Sequence, residues 1–250
     1  MSRDAMTPLA LVAFLILFAW PRLHAQRVDT LFVQAPALFP TLVRVPDDFD
    51  STRSYSVVAA LHGFGGNPQE FMSLAPLFSA AGIVFAAVQA PYWFVNANRR
   101  LGFDWSLAHL DERELGDRAA DLTIEYLANV VAELRSAFSV EGLYLMGFSQ
   151  GAGFAYLAGI RDPEAVEGLI AFGSGFSASW LSDESLRQAK DLRIFIAHGD
   201  SDALAPIARA EIARDTLEAL GYDVTFRRFA GGHDVPPGVV GDVIRWIGRR

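Results

Sequence analysis

A serine between two glycines, Gly147-Phe148-Ser149-Gln150-Gly151, directly follows an apolar run ending at Met146 and precedes a stretch with helical periodicity. At a strand-to-helix turn, glycines permit the tight bend that lifts a hydroxyl into a cleft, and the helix start brings free N–H groups and a positive dipole end beside it. The plainer role for Ser149 is a helix N-cap. A serine hydroxyl is a poor nucleophile until a base removes its proton, so the nucleophilic reading needs a histidine and a group to orient it. His233 lies in Gly231-Gly232-His233-Asp234, a loop between the expected strand Val224–Phe229 and the last helical stretch, and is the expected general base. His62 and His198 each precede a glycine at the end of an apolar run, where a hydrogen-bonded structural histidine is the ordinary occupant, and His109 has no evident partner. Either Asp200 or Asp202, in His198-Gly199-Asp200-Ser201-Asp202, could hold the imidazole in the right tautomer; we take Asp202, with Asp200 as the alternative. The order is then Ser149, Asp202, His233, with separations of 53 and 31 residues.

Acyl transfer from such a group needs donors aimed at the developing oxyanion, each commonly worth about 3–4 kcal/mol of barrier. The backbone N–H of Gln150 is one candidate, and that of Phe64, in the glycine-rich stretch Leu61-His62-Gly63-Phe64-Gly65-Gly66, is the other. No Lys-Ser or Lys-Thr follows these glycines, which argues against a phosphate loop. Trp93, Phe103 and Trp105, with Phe148, Phe176 and Trp180, fall in segments expected to border the cleft and would form an apolar wall for an acyl or aryl group. Ordinary packing or a carbohydrate platform are the alternatives.

These residues must be positioned by something, and the apolar pattern indicates what. Val57–Leu61, Ile83–Val88, Leu143–Met146, Leu169–Phe172 and Ile194–Ala197 are short, nearly continuous apolar runs, as in strands covered on both faces. Helical periodicity separates them at Pro68–Ala81, Glu114–Phe138, Ala152–Ile160, Ile207–Leu220 and Val239–Ile247. The alternation predicts an α/β fold, a doubly wound and mostly parallel sheet, in a single domain over residues 26–250. Leu31–Val45, interrupted by Pro36 and Pro40, is expected to supply edge strands. With 21 basic against 29 acidic residues and a net charge of -8, no nucleic-acid partner is expected. The chain has no cysteine, which removes disulfides, thiolate nucleophiles and cysteine metal sites together. Residues 1–25, with an apolar stretch from Leu9 to Trp20, read as a secretory signal peptide, so the protein is expected to be exported and to insert in no membrane after cleavage; an uncleaved anchor is the alternative.

Taken together, Leu61-His62-Gly63-Phe64-Gly65, Gly147-Phe148-Ser149-Gln150-Gly151-Ala152, His198-Gly199-Asp200-Ser201-Asp202 with Ala205-Pro206, and Gly232-His233 resemble the phospholipase/carboxylesterase family of serine hydrolases, which includes acyl-protein thioesterases. The resemblance runs from about Tyr55 to the end, and Gly102-Phe103-Asp104-Trp105 is loosely similar to the Trp-Phe-Asp-type loop of some members. It implies an α/β-hydrolase fold, Ser149 as nucleophile, Asp202 orienting His233, and Phe64 and Gln150 as the oxyanion hole. It also implies hydrolysis of carboxylic esters or thioesters through an acyl-enzyme, without cofactor or metal; with the export signal, a small-molecule carboxylic ester is the expected substrate rather than a protein-bound or CoA thioester. Feruloyl or polyester esterases, a peptidase, and a binding module that keeps the fold without turnover are the competing readings.

Overall fold

The computed structural model describes residues 33–110, 112–176 and 178–249. The expected signal segment 1–25 lies outside the described residues. Among the described residues, seven strands form one sheet: β1 (Thr41–Arg44), β2 (Tyr55–Leu61), β3 (Val84–Val88), β6 (Val140–Phe148), β7 (Gly168–Phe172), β8 (Arg193–Gly199) and β9 (Asp223–Phe229), in the order β1-β3-β2-β6-β7-β8-β9. Only β1 runs antiparallel, pairing Thr41 with Val88 and Arg44 with Phe85; all other pairings are parallel. Each central strand thus ends at the same edge.

Alternate residues of a strand point to opposite faces, and here both faces are covered. Val57, Ala59 and Leu61 of β2 join one core with residues of α3 (Arg113–Ala137), α4 (Gln150–Arg161), α5 (Asp183–Gln188) and α6 (Ala208–Ala219). Val58 and Ala60 join the other, against α1 (Pro68–Phe71), α2 (Ala75–Ser79) and α7 (Pro237–Ile247). A fully buried side chain such as Leu61 or Ile196 contributes about 1.5–3 kcal/mol, so these two layers are what hold the edge in place. The mostly parallel, doubly wound α/β sheet read from the apolar runs is the observed one. Among the described residues, no helix is long and apolar enough to cross a membrane.

Three local expectations need correction. The stretch Pro68–Ala81 is not one helix: α1 ends at Phe71, a 3-10 turn spans Met72–Leu74, and Pro76 starts α2 with its fixed φ in the first helical turn. Of Leu31–Val45, among the described residues 33–45 Thr41–Arg44 forms an edge strand; Pro36 and Pro40, lacking an N–H for the ladder, stay outside it. The aromatic segment after β3, expected to border the cleft, instead forms a hairpin, β4 (Tyr92–Val95) paired antiparallel with β5 (Leu101–Asp104), apart from the main sheet.

Candidate active site

Ser149 stands between the end of β6 and the start of α4 with φ 53° and ψ −117°. A non-glycine residue held there stores on the order of 1–3 kcal/mol of strain, so the surrounding packing must enforce it. The motif glycines show how. A Cβ on Gly147 would sit 2.3 Å from Gly151 O, and one on Gly151 would sit 2.3 Å from Leu61 O. Both glycines are therefore required by close backbone approach, while the left-handed conformation falls on the serine itself. The Ser149 side chain makes no capping hydrogen bond to α4, so the N-cap role is not the one it plays.

Asp202 has a fully buried side chain whose two oxygens are divided between two tasks. Oδ1 accepts from the backbone N–H of Leu204 (2.9 Å) and Ala205 (2.8 Å), and Oδ2 accepts from His233 Nδ1 at 2.7 Å. A carboxylate can only accept, so Nδ1 carries the proton and Nε2 is left as the free basic nitrogen. Burial pushes the Asp202 carboxyl up, but the Ala205 N–H, the His233 imidazole and the Leu204 N–H outweigh it and hold it below its ordinary value. Asp200 is elsewhere, in an exposed ion pair with Arg228 at 2.9 Å. The His233 ring leans on Phe148 with centroids 4.6 Å apart and passes over Gly173, whose φ is +60° and whose Cβ would lie 3.1 Å from His233 Nδ1.

Ser149 and His233 line one cleft of about 1100 Å³, together with Phe64, Gln150, Trp180 and Leu204. Among the described residues no hydrogen bond joins the Ser149 hydroxyl to the imidazole; contacts of this kind commonly tighten only in the substrate complex. Neither the Phe64 nor the Gln150 backbone N–H is spent on a hydrogen bond within the described residues, so both are available to an oxyanion. The arrangement can activate a hydroxyl, hold a tetrahedral oxyanion and return a proton to a leaving group.

The remaining histidines separate by partner. His62 Nδ1 donates to Gly63 O at 2.8 Å and Nε2 accepts from Ala90 N–H at 3.3 Å; burial pushes its pKa below the ordinary value, only partly offset by the Gly63 contact and the Glu70 charge. His198 is fully buried, with Nε2 2.6 Å from Ala205 O and 3.3 Å from Asp202 Oδ2. His109 does have a partner: its Nδ1 lies 2.9 Å from Asp104.

Of the six aromatics expected at the pocket, Phe148 and Trp180 line the cleft. The other four do not. Trp105 is fully buried because its indole N–H donates to His62 O at 2.8 Å, and Phe103 packs against the core. Phe176 is covered by Tyr156, and Trp93 faces outward from the hairpin, 67% exposed. Residues that sequence reasoning passed over include Gly173 and Asp104. The latter is fully buried, and although desolvation raises its carboxyl, bonds from Ser106, His109 and Gln150 prevail and hold it low. The Phe-Asp pair of the hairpin was the one available signal.

Residues 50–249 match the family model described as phospholipase/carboxylesterase. The chain belongs to that family. Among individual relatives, it is 28% identical over 121 residues to acyl-protein thioesterase 1 of Gibberella zeae, covering 46% of this chain and 52% of that protein. The match thus spans about half the length of that relative. Among solved structures, the fold is similar to esterase PE8, with TM-score 0.69, 24% identity, and coverage of 85% of this chain and 99% of that one. It is similar also to acyl-protein thioesterase 2 of Zea mays, with TM-score 0.66, 18% identity, and coverage of 84% and 97%. Such likenesses fix the family's α/β-hydrolase fold for this chain.

Proposed function

We propose that the protein is a serine hydrolase of carboxylic esters working through an acyl-enzyme. The observation that carries this is the 2.7 Å bond between Asp202 and His233 Nδ1, which leaves Nε2 as base in the same cleft as a strained, uncapped serine. In this reading His233 Nε2 takes the Ser149 proton as Oγ attacks the ester carbonyl carbon, and the imidazolium faces the buried Asp202 carboxylate. The carbonyl oxygen, now negative, sits against the Phe64 and Gln150 N–H groups. Collapse expels the alcohol, which takes its proton from His233. Water, deprotonated by the same nitrogen, then releases the acid and restores Ser149.

Phe148, Phe154, Leu157 and Trp180 supply an apolar stretch of the cleft and favour a short-to-medium acyl, aryl or lysophospholipid-type ester. The leader-like composition of residues 1–25 supports an exported enzyme that meets such esters rather than intracellular thioesters. Incubation with a fluorophosphonate probe tests the reaction: wild type should be labelled and Ser149→Ala should not. An unlabelled wild type that also leaves p-nitrophenyl esters untouched would leave the fold without this chemistry.

A further inference from the structure

Asp104, the last residue of β5, is buried completely, yet its carboxylate takes four hydrogen bonds. Oδ1 accepts from Ser106 N–H at 2.9 Å and from the Gln150 side-chain amide at 2.7 Å; Oδ2 accepts from His109 N–H at 3.1 Å and His109 Nδ1 at 2.9 Å. The two oxygens point along two routes. The first goes straight to Gln150, whose own Oε1 accepts from Trp105 N–H at 3.3 Å, so the residue next to the serine is pinned by its side chain while its backbone N–H stays free. The second passes through rings. His109 stacks on Phe94 with centroids 4.8 Å apart, and Phe94 stacks on Phe64 at 5.0 Å. The backbone repeats this second link: Gly65 N–H donates to Phe103 O at 2.9 Å, and Phe103 N–H donates to Gly66 O at 3.1 Å.

We infer that Asp104 is a positioning residue that sets both oxyanion donors at once, Gln150 through its side chain and Phe64 through His109 and Phe94. The inference rests on the serine-hydrolase reading above. Its physical basis is that preorganised N–H groups act only if they are aimed before charge develops, and a small misplacement weakens them steeply. Only a carboxylate fits the position. An asparagine would present two N–H groups where either Ser106 and Gln150 or His109 now donate, so one route would lose its acceptor.

The test uses the full-length protein and two variants. Gln150→Met removes the side-chain amide but keeps the backbone N–H, and Asp104→Asn keeps the shape of the carboxylate. Each should lower kcat on a p-nitrophenyl ester by roughly 10- to 100-fold with KM within about twofold, and weaken a boronic-acid tetrahedral mimic by a similar factor. Should Asp104→Asn fail to fold, Gln150→Met decides alone. A wild type that reacts with fluorophosphonate while Gln150→Met keeps kcat and boronate affinity within about twofold would overturn the role of Asp104 only. A wild type that neither reacts with the probe nor turns over esters would overturn the parent reading and this one with it.

Discussion

Two aspartates two positions apart have different surroundings. Asp202 is buried and bonded to His233, whereas Asp200 holds Arg228 at the surface. Asp202→Asn is therefore expected to lower kcat by about 10⁴-fold, and Asp200→Asn to leave it within about fivefold, in steady-state kinetics on a chromogenic ester. The reverse order would assign the orienting carboxylate to Asp200. Gly173 yields a second expectation, since alanine there would occupy a left-handed conformation and press on the imidazole at 3.1 Å. Gly173→Ala should cost about 1–2 kcal/mol in urea unfolding and reduce kcat on the order of 10- to 100-fold. The grouping of Ser149, Asp202 and His233 in one region was legible because each follows an expected strand and lies in a glycine-containing turn. Asp104 was not legible. Its link to Gln150 joins residues 46 apart, and nothing local to a Phe-Asp-Trp stretch says the carboxylate will be buried under four donors.

The central strands announced themselves for a simple reason: a parallel strand covered on both faces has to be apolar throughout, as Val84–Val88 and Gly168–Phe172 are. The hairpin β4–β5 hid because its burial is discontinuous, with Asp104 enclosed while Trp93, Val95 and Leu101 are exposed. Trp93 and Val95 point outward, and an aromatic-rich segment without continuous burial reads as a loop bordering a pocket. The same reasoning explains Trp93 and Phe103, since residue type gives apolar area but not the direction in which a strand presents it. The seam where α4 meets β2 allows a prediction about packing between elements. Gly151→Ala would place a methyl 2.3 Å from Leu61 O and 2.5 Å from His62 O, neither of which can move without shifting β2. Unfolding free energy should fall by about 3 kcal/mol or more, seen as a lower urea midpoint. An unchanged midpoint would mean that this seam is slack.

For the molecule as a whole, ionisable groups set two separate pH windows, one through burial and one through hydrogen bonds that outweigh it. His62 is kept neutral by desolvation, so the unfolded chain binds a proton near the ordinary value of 6.5 that the folded chain refuses. Its contribution is fully present above pH 6.5 and is lost as pH falls from there towards the depressed folded value. Asp104 and Asp202 have lowered folded values, so their contribution is present above the ordinary 3.8 and is lost only as pH falls further. Wild-type Tm is thus expected to decline in two stages on acidification. His62→Gln should flatten the first stage and leave the second. A first stage equally steep in that variant would place its origin in another group.

Trp180 and Leu204 project into the cleft from a 3-10 turn and a loop, 47% and 77% exposed, and neither belongs to the two buried layers that hold the sheet edge. Loop positions of this kind are where chains tolerate change. Drift at these two places would alter which molecules are admitted while leaving folding energy and the reacting groups untouched, so near-identical frames could diverge in diet without first becoming fragile.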